Sequence, residues 1–148
     1  MIVDLVRQVD DIKMDKQAFL LSPRRWRTSR VQIPLAWTTV KFEEANRQYV
    51  PAIRGVYAFI VQHANGHFPP HGYIMYIGIT GDVGEDRTLH DRYYDYLREK
   101  KRQKRAKVAY MLNKYADDLY FCYATITDPA FDLGKLEWSA RSFVPLDK

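Results

Sequence analysis

Arg54-Gly-Val-Tyr57-Ala-Phe-Ile-Val61 and Gly72-Tyr-Ile-Met-Tyr76-Ile-Gly78-Ile-Thr80 decide the reading of this chain. Val56 to Val61 and Tyr73 to Ile79 are β-branched and aromatic runs of strand length. The interval Gln62 to Gly72 holds Gly66, Pro69, Pro70 and Gly72, which break strands and make turns. A β-hairpin follows. In an antiparallel pair the start of one strand lies beside the end of the next, so Tyr57 and Tyr76 should be near neighbours and their phenols should converge.

Downstream, Gly81 to Asp86 reads as a loop. Its three carboxylates, Asp82, Glu85 and Asp86, fit no calcium-loop spacing and read as solvated. Thr88 can cap a helix, with Asp91 three positions on completing a capping box, and Leu89, Tyr93, Tyr96 and Leu97 recur at helical spacing. That helix presents Arg92 and Tyr96 on one face, because residues four apart are neighbours along it. Leu119 to Ile126 is nearly apolar throughout and reads as a further, well-covered strand. Asp128-Pro129 breaks it, and a last helix starting at Asp132 or Leu133 carries Leu136 and Glu137.

These residues resemble the GIY-YIG nuclease family. Gly55-Val56-Tyr57 stands for its first signature and Tyr76-Ile77-Gly78 for its second; Arg92, Tyr96 and Glu137 fill the remaining positions in order. The resemblance spans about Ala52 to Lys148. It implies an α+β fold, a three-stranded antiparallel sheet flanked by helices, and a Mg²⁺- or Mn²⁺-dependent hydrolysis of DNA phosphodiesters. In that scheme Tyr57 is the general base, Arg92 holds the scissile phosphate, Tyr76 and Tyr96 position water or phosphate, and Glu137 is the metal ligand; Gly55 and Gly78 are structural. A phenol with a pKa near 10 is a poor base at neutral pH, so Tyr57 needs Arg92 and the metal nearby to lower it. Taken without the resemblance, Arg92 reads as an ion-pair partner of Asp91, Asp95 or Glu99, and each tyrosine as a core phenol whose hydroxyl reaches solvent. Three departures stand out. The hairpin loop is longer than usual, Ile79 occupies a position where many members carry lysine, and the chain reaches Lys148 where members commonly carry an asparagine.

Ahead of the hairpin, Val3, Val6, Val9 and Ile12 mark an amphipathic helix within Met1 to Leu21 that Ser22-Pro23 should end. Arg24-Arg25-Trp26-Arg27 then reads as a basic loop, with Trp26 either stacking on nucleic acid or plugging the core edge. Trp37 to Phe42 alternates like a short strand and offers an added sheet edge. Residues 1–51 are therefore read as an N-terminal extension and 52–148 as the nuclease-like domain.

The net charge of +5 and pI near 9.3 favour a polyanionic partner. From Arg98 to Lys107 come seven basic residues and one acidic one. At helical spacing they would surround the axis and must face solvent or a partner. Arg98, Lys100, Lys101, Arg102, Lys104, Arg105 and Lys107, with Arg24, Arg25 and Arg27, are the candidates for tracking DNA, ahead of RNA. His63, His67 and His71 have metal-face spacing only on a helix, which Gly66, Pro69 and Pro70 forbid. The single cysteine, Cys122, excludes an internal disulfide and a cysteine-rich zinc site. With no signal-like or membrane-spanning run, the chain reads as an intracellular, cytoplasmic protein, a stand-alone enzyme or a homodimer. The competing reading is a DNA-binding module that keeps the fold without useful catalysis. A domain that meets only protein fits the basic run least.

Overall fold

The computed structural model describes residues 5–17, 22–28, 34–63, 67, 69–82 and 85–140, with only the backbone at 25, 26, 28 and 137–140. The hairpin forms as expected. Strand β2 (Gly55–Gln62) pairs antiparallel with β3 (Gly72–Thr80), from Gly55 opposite Thr80 to Gln62 opposite Gly72. A bulge interrupts the ladder where Phe59 faces Tyr76 but Ile60 faces Ile74, leaving Met75 as the extra residue.

β4 (Leu119–Thr125) pairs with the other side of β2, and β1 (Thr38–Lys41) pairs with β4, giving a four-stranded antiparallel sheet in the order β1-β4-β2-β3. The three expected strands are joined by the Trp37–Phe42 segment as an edge. β2 and β4 lie inside the sheet and are covered on both faces, which accounts for their nearly unbroken apolar sequence.

Helix α3 (Leu89–Arg102) begins with the full capping box: the Thr88 hydroxyl accepts from the Asp91 N–H at 3.2 Å, and the Asp91 carboxylate accepts from the Thr88 N–H at 2.9 Å. These contacts hold the Asp91 carboxyl below its usual pKa range. The basic run is not one continuous helix. α3 stops at Arg102, Gln103 takes a left-handed backbone at φ 53°, and α4 (Ala106–Lys114) starts afresh. The corner is closed locally: the Glu99 carboxylate accepts from the Arg105 N–H, and Asn113 Nδ2 donates to the Lys100 carbonyl at 3.1 Å.

One sheet face, with Tyr57, Phe59, Phe121 and Tyr123, packs under Leu89, Tyr93 and Tyr96 of α3 and Met111 and Leu112 of α4. Phe42 and Val50, which flank a 3₁₀ turn at Glu44–Tyr49, complete this core. The other face, with Val56, Ala58, Ile77, Cys122 and Ala124, packs under Leu133 and Leu136 of α5 (Leu133–Ala140).

Near the N-terminus two expectations change. Helix α1 (Leu5–Asp15) ends well before Ser22, and its apolar stripe of Leu5, Val6, Val9 and Ile12 is exposed. Pro23 opens a short helix, α2 (Pro23–Thr28), rather than a basic loop, consistent with the tolerance for proline at a first helical position. The Trp26 side chain lies outside the described residues. No helix among the described residues is long and apolar enough to cross a membrane.

Candidate active site

The phenols of Tyr57 and Tyr96 meet at 2.9 Å, hydroxyl to hydroxyl, and are buried. Tyr57 comes from β2 and Tyr96 from the middle of α3. Tyr76 of β3 completes a triangle, with its ring centroid 6.3 Å from Tyr57 and 6.0 Å from Tyr96. The hairpin register produces this: Tyr57 faces Gly78, so Tyr76, opposite Phe59, lies diagonally beside it on the same face.

Both signature glycines have a steric reason. The Tyr57 ring lies over Gly78, where a Cβ would overlap the ring and its hydroxyl. At Gly55 a Cβ would drive into the Ala124 carbonyl and crowd Leu89, so glycine there lets β4 close on β2.

The phenols of Tyr57 and Tyr96 are pushed well above their ordinary range, first by burial. For Tyr57 the nearby Tyr76 adds to the rise. The hydrogen bond with Tyr96 and the charges of Arg92 and Arg105 pull the other way and are outweighed. Arg92 thus acts in the direction that the sequence suggests, but burial dominates.

Arg92 lies one helical turn before Tyr96. Its Nη2 pairs with Glu85 Oε1 at 3.1 Å, a partner from the loop before α3 rather than Asp91, Asp95 or Glu99. Asp91 caps the helix, and Asp95 pairs with Arg87. The Arg92 Nε is buried without a hydrogen-bond partner among the described residues.

Arg105 is the surprise. Placed by sequence among the DNA-tracking residues, it follows the Gln103 corner back toward the tyrosines, lining one cavity with Tyr76 and another with Tyr96. This placement spans separate elements and leaves no periodic signal.

Arg92, Arg98, Arg102, Lys104 and Arg105 line a cavity of about 250 Å³ that also touches Tyr96, with Asp95 and Glu99 on its wall. Lys101 and Lys107 are exposed and Lys100 is half-buried. Arg24 and Arg27 are exposed on α2, where Arg27 Nε donates to the Pro23 carbonyl at 3.2 Å; the Arg25 side chain lies outside the described residues.

Arg54, which the sequence does not single out, donates to three carbonyls: Gly81 at 2.9 Å, Asp128 at 2.8 Å and Phe131 at 3.1 Å. It ties the end of β3 to the start of α5, the helix that carries Glu137. α5 itself packs on the sheet face opposite the tyrosines through Leu133 and Leu136. The Glu137 side chain lies outside the described residues. No group of three His, Cys, Asp or Glu side chains suited to a metal occurs among the described residues. Mg²⁺ does not need such a group, since it takes one or two carboxylates and keeps waters. At the start of α5 the Asp132 carboxylate, whose oxygen chemistry would suit Mg²⁺ or Mn²⁺, is committed locally: it accepts from the Lys135 N–H at 3.1 Å and pairs with Lys135 Nζ at 3.8 Å.

Comparison with family models, with curated proteins and with solved structures finds no match to this chain.

Proposed function

We propose that the chain is a Mg²⁺- or Mn²⁺-dependent endonuclease of the GIY-YIG type that hydrolyses DNA phosphodiesters. The observation that carries the reading is the 2.9 Å contact of Tyr57 with Tyr96, with Tyr76 beside it and Arg92 and Arg105 at its rim. Three phenols and two guanidiniums combine hydrogen-bonding groups for a water with fixed positive charge for a phosphate.

Arg92 holds the scissile phosphate, exchanging its Glu85 partner for non-bridging oxygens, which a planar guanidinium fork matches well. Arg105 adds charge to the same cavity that Arg92 and Tyr96 line. Tyr57 takes the proton of the attacking water as its phenolate, after its own phenolic proton has passed to solvent. Its burial-raised pKa makes this demanding, so the role depends on phosphate and cation entering together and on Arg92 and Arg105 remaining close. Tyr76 and Tyr96 orient the water. Glu137 holds the metal, whose chemistry when bound is neutralisation of phosphoryl charge and acidification of water. The basic corner follows the DNA backbone.

The same burial of Tyr57 favours a second reading, a DNA-binding module without useful catalysis. Plasmid nicking separates the two. Wild type is expected to nick supercoiled DNA with Mg²⁺ and not with chelator. Glu137→Ala should lose at least about 100-fold of that rate while binding DNA as before. DNA binding without nicking by wild type on plasmid and structured DNAs would instead establish the binding module.

A further inference from the structure

We propose that this protein accommodates an unpaired DNA nucleotide beside its tyrosine cluster, with the base in an apolar cleft and the phosphate on Arg105. The proposal rests on the endonuclease reading for its biological sense and on the cleft for its geometry.

The cleft has a volume of about 910 Å³, within the roughly 300–1,000 Å³ of ligand-sized pockets. Met75, Tyr110, Met111 and Tyr115 give it an apolar and aromatic lining, and Tyr76 and Arg105 connect it to the candidate active site. Met75 is the bulge residue of β3, so the same irregularity that breaks the ladder contributes to this wall.

Its chemistry matches a nucleotide better than a purely apolar ligand. Tyr110 is 43% exposed, and its hydroxyl accepts from Lys114 Nζ at 2.9 Å, a lysine that also pairs with Asp15 at 2.8 Å and so sits at the hydroxyl end of the ring rather than over a face. An exposed ring whose faces carry no cation among the described residues offers a platform for a base, and aromatic stacking accepts any base because each has a π-face. Arg105 is shared between this cleft and the basic cavity that touches Tyr96. A strand whose phosphates follow the basic cavity therefore arrives at Arg105 with an apolar recess alongside. A paired base is already stacked within its duplex and cannot enter, so the arrangement selects gaps, flaps, bulges or single strands over intact duplex.

The test uses the full chain, in chelator so that binding is read without cleavage. The probe is a short single-stranded DNA carrying a fluorescent adenine analogue, beside the blunt duplex of the same sequence. Wild type should bind the single strand more tightly than the duplex and quench the analogue. Tyr110→Ala should bind the single strand about 5- to 100-fold more weakly, the range that loss of one base stack represents, and lose the quenching. Tyr110→Phe keeps the ring and should behave as wild type, while duplex affinity stays unchanged in both. Equal loss on single strand and duplex, no loss on either, or binding without quenching would overturn the proposal. Quenching without Mg²⁺-dependent nicking of any DNA would remove the endonuclease reading and leave the cleft standing; nicking without quenching would do the reverse.

Discussion

The two faces of the sheet are built from the same strands and do different work. Tyr57 lies between Val56 and Ala58 in β2, yet Tyr57 turns to the helices α3 and α4 while its two neighbours turn to α5. The first face is aromatic: Phe59 has Phe42, Tyr57, Tyr96 and Phe121 within ring-contact distance, at centroid separations from 4.8 to 6.5 Å. The second is aliphatic and carries no phenol among its buried residues described here. Rings leave planar edges and hydroxyls in fixed directions, whereas methyl groups only fill volume, so the aromatic face can hold polar atoms at set positions inside a core.

Within the aromatic face, phenols also divide. Tyr93 donates to the Glu43 carbonyl at 2.7 Å and accepts from the Glu43 N–H at 3.0 Å, so its hydroxyl is committed to backbone. Tyr57 and Tyr96 bond to one another, and Arg105 lines a cavity with the second of them. Hydroxyls that satisfy each other can exchange partners for water or phosphate without stranding a backbone group. Burial is common to all three phenols; what separates them is the partner, backbone for Tyr93 and another phenol for Tyr57 and Tyr96.

The largest effect on this contrast should come from Phe59→Ala, which empties the centre of the aromatic face. A loss of about 3–5 kcal/mol is expected, read from the urea midpoint. A loss below about 1 kcal/mol would mean that the rings reclose and the face is less rigid than its packing implies. Next is Gly78→Ala, which pushes a methyl into the Tyr57 ring and should cost about 1–3 kcal/mol. Adding Tyr57→Ala should return part of that cost in a double-mutant cycle; simple additivity would show that the glycine serves only the backbone.

The smallest effect per residue is a pH effect. Tyr57, Tyr93 and Tyr96 all have folded-state pKa values raised above 10.0, with Tyr93 at about 12. Below pH 10 both states hold these protons, and stability is unaffected. Above it the unfolded chain releases them while the folded chain keeps them, so stability falls as pH rises, by about 1.4 kcal/mol per pH unit for each phenol. Phenolate absorbance should show these tyrosines ionising together with unfolding; ionisation in the native fold near pH 10 would place their hydroxyls in solvent.

Local chemistry made much of this legible. The hairpin follows from two strand-length runs around a Gly- and Pro-bearing interval, the start of α3 from Thr88 and Asp91, and the edge strand from alternation at Trp37–Phe42. The convergence of Tyr57 and Tyr76 follows from antiparallel pairing, and that of Arg92 with Tyr96 from helix geometry. The corner at Gln103 was hidden because a left-handed residue that is not glycine gives little warning in sequence. Lysine and arginine favour helix equally on both sides of it, so composition does not mark the break, and the turn is closed by Glu99 and Asn113 from neighbouring turns. The helix stripe on α1 was legible as a period, but not its exposure.

What this sequence determined by itself are the elements and the order of tyrosines and arginine along them, because pleat, helical period and capping act over a few residues. Only the tertiary structure decided that Arg105 comes back toward the tyrosines, that Arg54 ties the end of β3 to the start of α5, and that the Tyr57 ring rests on Gly78. Each of these joins residues far apart in the chain, and the packing of whole elements sets their distances.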